Sequence, residues 1–225
     1  MLERSQKYDK RLVRKCMAGP NALYLTEELT NSMHLAPGML VMDLGCGRAL
    51  SSVFMAREYK VRVYAVDKNE YASETCNMLK DQGLENEVFP IQADAASLPM
   101  PKGVFDALVC VNAYHNFGME AGFFEEKLRP LLRENAEVGL VLLGRDENCV
   151  GEGDKNENPV FWAASEWKRW FESEGLAVET CEQLKCTERA WKEWMMIYSP
   201  SSTEEELEKV KFNPELALIK LTAHV

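Results

Sequence analysis

The stretch Val41-Met42-Asp43-Leu44-Gly45-Cys46-Gly47 constrains this chain more than any other. An apolar run that ends in an acid and passes at once into Gly-x-Gly describes a strand, a sharp turn and the start of a helix. Two further apolar runs also end in acids: Val63-Tyr64-Ala65-Val66 in Asp67, and Ile91-Gln92-Ala93 in Asp94. In an open α/β sheet, ligands bind in the crevice outside the carboxyl ends of the strands. Carboxylates at three such ends suit a cationic ligand rich in hydroxyl and amine donors, and suit a phosphate ligand poorly.

Apolar β-rich runs and helical stretches alternate from there. Strands are expected over 40–43, 61–67, 88–94, 105–112 and 138–144. Crossover helices are expected over 49–59, 70–83 and 118–133. Alternation at this spacing predicts a parallel sheet covered by helices on both faces. Ahead of it, residues 5–35 read as helical, broken at Gly19-Pro20, with Asn21 as the cap of a second helix. After it, residues 145–158 read as an acidic surface loop. A helix carrying Trp162, Trp167 and Trp170 follows, then a strand over 176–184 and a helix with Trp191 and Trp194. A short acidic helix from Thr203 and a last strand over 216–223 complete the chain. With 225 residues and no Pro/Gly/Ser-rich linker, one domain is the economical reading.

Thirty-six acidic against 26 basic residues give a formal charge of -10, which argues against a broad nucleic-acid face. No apolar run reaches the roughly 20 residues that span a bilayer. The charged N-terminus lacks the apolar core of a secretory signal. Seven cysteines without paired spacing read as reduced thiols with no metal site. The expectation is therefore a cytoplasmic protein, monomer or homodimer, bound neither to membrane nor to nucleic acid.

The order Asp43-Leu-Gly-Cys-Gly, Asp67, Asp94-Ala95 and Phe105-Asp-Ala-Leu-Val-Cys-Val-Asn112 resembles the class I S-adenosylmethionine-dependent methyltransferases. Within them it is most similar to bacterial small-molecule enzymes whose fourth strand ends in Asp/Asn-Ala-Tyr-His-x-Phe, here Asn112 to Phe117. The resemblance spans about residues 8–145 and, more loosely, the Trp-rich tail. It implies a Rossmann-like α/β fold: seven strands, mostly parallel, helices on both faces and the last strand antiparallel. It also implies a single domain over 1–225, with residues 1–35 as a helical lid and 145–212 as a variable acceptor-side segment.

The cofactor implied is S-adenosyl-L-methionine, with S-adenosyl-L-homocysteine as product. Gly45 and Gly47 let the backbone turn and approach it closely, with Cys46 between them. Asp43 can take the methionine ammonium, directly or through water. Asp67 can accept from two ribose hydroxyls, with Lys68 beside it. Asp94 can accept from the adenine amine while the Ala95 N–H donates to the ring. Asn112 and Ala113 lie where the methyl is presented. His115 is the candidate base and Tyr114 a candidate pocket wall or hydroxyl donor. The resemblance further places Tyr8 and Gly19-Pro20-Asn21 over the cofactor. An Asp at a strand end also serves simply as a helix cap, and tryptophans at helical spacing usually mark a packed face.

Two positions depart from the family pattern: Ala49 stands where a third glycine is usual, and Asn135-Ala136 where Gly-Gly is usual. They leave open a retained fold that binds the cofactor product or a protein partner. A nicotinamide-dependent oxidoreductase fits less well, since its fingerprint wants Gly or Ala at Leu50 and Asp43 would repel a pyrophosphate. The acidic loop over 145–158 and the Trp-rich helices suggest an enclosed, apolar, cation-tolerant pocket. Such a pocket fits a small amine or aromatic acceptor better than a phosphate-rich polymer, with the methylated atom left open among N, O, S and C.

Overall fold

The computed structural model describes residues 2–147, 162–198 and 216–225. Two helices lead in, α1 (Lys10–Cys16) and α2 (Ala22–Thr30). Between them Gly19-Pro20 stops helical propagation, and the Asn21 side chain restarts it by accepting from the Leu23 N–H at 2.9 Å. The sheet then begins with β1 (Leu40–Leu44), α3 (Leu50–Tyr59), β2 (Arg62–Asp67), α4 (Ala72–Asp81), β3 (Val88–Gln92) and β4 (Phe105–Val111). It is completed by β5 (Leu132–Arg145), α5 (Ala164–Ser173), β6 (Ala177–Gln183), α6 (Thr187–Tyr198) and β7 (Leu216–His224).

The strand order is β3-β2-β1-β4-β5-β7-β6, with β1 to β5 parallel and β7 antiparallel to both neighbours. This is the expected seven-stranded, mostly parallel sheet with an antiparallel last strand. The order reverses between β1 and β4, so the loops after those two strands diverge and open a crevice. Strand residues alternate between two cores. Val41, Val63, Val109 and Val141 face α2, α3 and α4. Met42, Leu108, Leu140 and Leu142 face Phe124, Trp167 and Phe171. Helices therefore cover both faces. No helix among the described residues is long and apolar enough to cross a membrane.

Two expectations are corrected. Residues 118–133 do not form a crossover helix; they make one wide π-type turn (Phe124–Leu128) and a 3-10 turn (Arg129–Leu131). Gly122, at φ +82°, and Pro130, without an N–H, cut the helical run short at its two ends. Strand β5 starts at Leu132 rather than Val138, and the register jumps from Phe105–Leu132 to Ala107–Glu137. Asn135 sits in that bulge at φ +60°, a left-handed angle that Asn tolerates. The loop expected over 145–158 is described only as far as Glu147, and the acidic helix expected from Thr203 lies outside the described residues.

Candidate functional site

The crevice at the β1/β4 reversal has two arms. The wider, about 470 Å³, is lined by Val66, Asp67, Lys68, Asp94, Ala95 and Phe117 among others. The narrower, about 260 Å³, runs under Gly19-Pro20 past Cys16, Cys46, Gly47 and Asn112. Gly45, Asp67, Asn69, Ala113 and Asn116 border both arms, so the two meet at the ends of β1 and β4. An elongated ligand with a broad and a narrow part fits this shape.

The loop after β1 is built by its glycines. Gly45 lies at φ +72°, and a Cβ there would stand 2.4 Å from the Cβ of Ala113. No side chain fits between the β1 and β4 loops at this point. Gly47, at φ +53°, is needed for its backbone angle alone. Ala49 does what a glycine would do: it holds φ +61° at the start of α3, at a cost of about 1 kcal/mol for an L-residue.

Asp43 is fully buried. Its Oδ2 accepts from the hydroxyls of Ser51 at 2.6 Å and Ser52 at 2.5 Å, while Oδ1 has no partner. Burial pushes its pKa up to about 6, the two hydroxyls pull it back, and the nearby charge of Asp67 raises it. Asp67 is held rigid by backbone amides: Oδ2 accepts from Gly47 at 3.0 Å, and Oδ1 from Asn69 at 2.8 Å and Glu70 at 3.2 Å. Each of its oxygens keeps acceptor capacity toward the cleft. Asp94 caps the turn after β3 through the Ala96 N–H at 3.0 Å, and its other oxygen pairs with Lys68 Nζ at 2.7 Å. That ion pair holds the Asp94 carboxyl below its ordinary value.

Cys46 borders the narrow arm, its thiol pushed well up by burial and by the carboxylates of Asp43 and Asp67. Asn112 ends β4 at φ +55°, and its buried Oδ1 has no partner. His115 is half-buried, its Nδ1 sealed without a partner, and burial holds its pKa below the ordinary value, so the ring is neutral near pH 7.

Asp43, wholly buried under the glycine turn, borders neither arm, and three further expected residues are placed elsewhere. Tyr114 is wholly buried in the core against Phe117, Phe123 and Phe171, and borders neither arm. Its ring gains more from that aromatic cluster than from the cleft wall, and burial raises its hydroxyl pKa. His115 likewise borders neither arm. Tyr8 stacks on Phe54 and hydrogen-bonds Glu58 at 3.1 Å, away from the cleft. Of the expected cover, Gly19 and Pro20 do border the narrow arm. Asn21 ties them to α6, its Nδ2 donating to Glu193 at 2.8 Å and its N–H to the Ala190 carbonyl at 3.0 Å. Sequence reasoning missed Ser51, Ser52, Asn69 and Asn116. The serines could have been found: they occupy the first turn of the helix that must start beside Asp43.

Residues 41–135 match the family model of a methyltransferase domain. Protein arginine N-methyltransferase 2 of Xenopus laevis is 37% identical over 82 residues, 36% of this chain and 18% of that protein. Sterol 24-C-methyltransferase of Yarrowia lipolytica is 27% identical over 104 residues, 46% of this chain and 27% of that one. The chain thus spans less than a third of the length of these curated relatives. Among solved structures, the [4+2]-cyclase SpnF superposes with a TM-score of 0.71 at 16% identity, covering 97% of this chain and 84% of that one. A SAM-dependent methyltransferase from Aquifex aeolicus gives 0.65 at 18%, covering 97% and 100%. Geranyl diphosphate C-methyltransferase from Streptomyces coelicolor A3(2), solved with S-adenosyl-L-homocysteine, gives 0.67 at 16%, covering 89% and 77%. Residues 41–135 are similar to a methyltransferase domain, and the chain has the fold of the class I S-adenosylmethionine-dependent methyltransferases.

Proposed function

We propose that this chain binds S-adenosyl-L-methionine in the two-armed cleft and transfers its methyl group to a small-molecule acceptor. The observation that carries the reading is the unpartnered Oδ1 of the buried Asp43 beside the glycine turn, with Asp67 presented at the junction of the arms. A buried carboxylate oxygen without a donor is costly, and an ammonium group, or a water held by one, satisfies it. Asp67 would hold the ribose hydroxyls, and Gly45 and Gly47 would let the ligand lie against the backbone. Asp94 and Ala95 would receive the adenine once Lys68 yields the carboxylate oxygen it now occupies. The Ala93–Asp94–Ala95 wall of the wider arm suits a flat ring.

When bound, the cofactor supplies a methyl group already activated by its positive sulfur, ready for in-line displacement. The protein's task is then alignment and the exclusion of water. Gly19 and Pro20 roof the narrow arm, while Asn112, Ala113 and Asn116 set the wall where an acceptor would meet the methyl. His115 stays neutral near pH 7 and, though it borders neither arm, is next in the chain to Asn116 on the cleft wall. It is the candidate to take a proton, directly or through a water, from an acceptor that retains one. Tyr114 fixes the turn that carries His115, as a packed ring in the core. Gly118 leaves room for that ring, since a Cβ there would stand 2.3 Å from it.

A small acceptor is favoured by the modest volume of the cleft and by the structural neighbours that act on small molecules, the geranyl diphosphate enzyme among them. The arginine N-methyltransferase relatives make peptide acceptors the competing class. Methyl transfer from radiolabelled cofactor to a panel of small amines, phenols and thiols, run beside Arg-containing peptides, separates the two. Transfer to peptides alone would overturn the small-molecule reading. His115→Ala is expected to keep S-adenosylhomocysteine affinity and lose about two orders of magnitude in turnover. Unchanged turnover would remove His115 from the mechanism.

A further inference from the structure

The two serines that bond Asp43 are buried as deeply as the carboxylate itself. Ser51 is 2% exposed and Ser52 0%. They occupy consecutive positions in the first turn of α3, and both donate to the same oxygen, Oδ2. The arrangement is asymmetric: one oxygen carries two hydroxyl donors and the other carries none. A carboxylate serving only the fold would share its donors between both oxygens or be replaced by a neutral side chain, because burying its charge is expensive. We propose that Ser51 and Ser52 are positioning residues that keep Asp43 ionised and turned so that Oδ1 is reserved for the cofactor's ammonium, making cofactor affinity depend on a single buried proton.

The surroundings of Asp43 explain why two donors are needed. Burial disfavours its charge and Asp67 on β2 repels it, while the thiols of Cys46 in the loop after β1 and Cys110 on β4, pushed upward by burial and then by Asp43, offer it no positive charge. Against this, the two hydroxyls are the interactions that favour the ionised form, aided by the N-terminal end of α3, whose dipole stabilises negative charge. Their joint action on Oδ2 also removes the freedom of the carboxyl to rotate. Either serine alone leaves one lone pair of Oδ2 unpaired.

The inference rests on the cofactor reading of the cleft, and the test separates the two. S-adenosylhomocysteine and 5′-methylthioadenosine are titrated calorimetrically into the protein across the range from about pH 5 to about pH 8. The first carries the ammonium and the second lacks it. With Asp43 titrating at about 6, ammonium-dependent affinity is present above that value and is lost as the pH falls through it. The wild type is expected to lose about tenfold in S-adenosylhomocysteine affinity between about pH 7 and about pH 5, with methylthioadenosine unaffected. In Ser51→Ala and Ser52→Ala, examined singly so that the fold is kept, the fall-off moves up by about one pH unit for the first ligand only. Proton release on binding, read from buffers of different ionisation enthalpy, should rise at neutral pH in both variants. That second readout a merely structural role would leave unmoved. Parallel pH profiles in wild type and variants would overturn the role of the serines while leaving the cofactor site intact. Failure of the wild type to bind either ligand would overturn both readings.

Discussion

At the scale of single residues, Asp43 costs the fold stability, which the proposed cofactor role accounts for. Holding a fully buried carboxyl at about 6 instead of its ordinary 3.8 costs the folded state on the order of 3 kcal/mol at neutral pH. The sign follows from the direction of the shift. The folded protein holds this proton more tightly than the unfolded chain, so the associated stability is full below about 3.8 and is lost as the pH rises through about 6. Asp43→Asn keeps the shape and removes the charge. It is expected to gain on the order of 1–3 kcal/mol in urea unfolding at neutral pH, to flatten the pH dependence between those two values, and to lose cofactor affinity. A destabilised Asn variant would show that the ionised carboxylate holds the fold together. Ala49 is a second strained residue. Ala49→Gly should relax the left-handed backbone at the start of α3 and add about 0.5–1 kcal/mol, the relief being partly offset by the flexibility of glycine in the unfolded chain.

At the scale of elements, the crossover strands and helices were legible because their apolar periods are long and their ends are marked by Asp, Gly or Asn. Strand β1 ends one residue beyond its expected limit, and α3 begins one residue later than expected. The stretch 118–133 was not legible. Phe123, Phe124, Leu128 and Leu131 repeat at near-helical spacing, but periodicity does not distinguish α, π and 3-10 turns, nor show that Gly122 and Pro130 cut the run short. Strand β5 was under-read for a related reason: its first half is charged, so the pairing of Leu132 with Phe105 leaves no hydrophobic trace. Two substitutions test the elements that shape the cleft. Gly45→Ala must displace the β4 loop through the clash with Ala113, and is expected to abolish cofactor binding while the far β5-β7-β6 end of the sheet retains its amide-exchange protection. Asn21→Ala removes the α2 cap and the link to Glu193. A loss of about 1 kcal/mol in denaturant unfolding is expected, with faster protease cleavage near Gly19.

For the whole molecule, the candidate site follows from topology: the sheet reverses its order between β1 and β4 and opens a crevice there, with Asp67 and Asp94 on its wall and Asp43 buried beneath it. The ends of β1 and β2 and the turn after β3 could be placed from sequence because each run of apolar residues closes on an acid. What sequence left unread depends on side-chain direction. Tyr114 and His115 stand beside the cleft in the chain, yet Tyr114 turns into the core. Asp94 reads as a ligand acceptor, yet here it caps a turn and pairs with Lys68. The serines that hold Asp43 depend on how α3 rotates against β1, which no spacing rule states. Titration calorimetry of S-adenosylmethionine and S-adenosylhomocysteine into ligand-free wild type and Asp67→Ala addresses the central claim most directly. Micromolar binding of both to the wild type, weakened at least about a hundredfold in Asp67→Ala by the loss of two charge-assisted hydroxyl contacts, is the expected result. Absence of binding to the wild type, or equal binding to the variant, would contradict it.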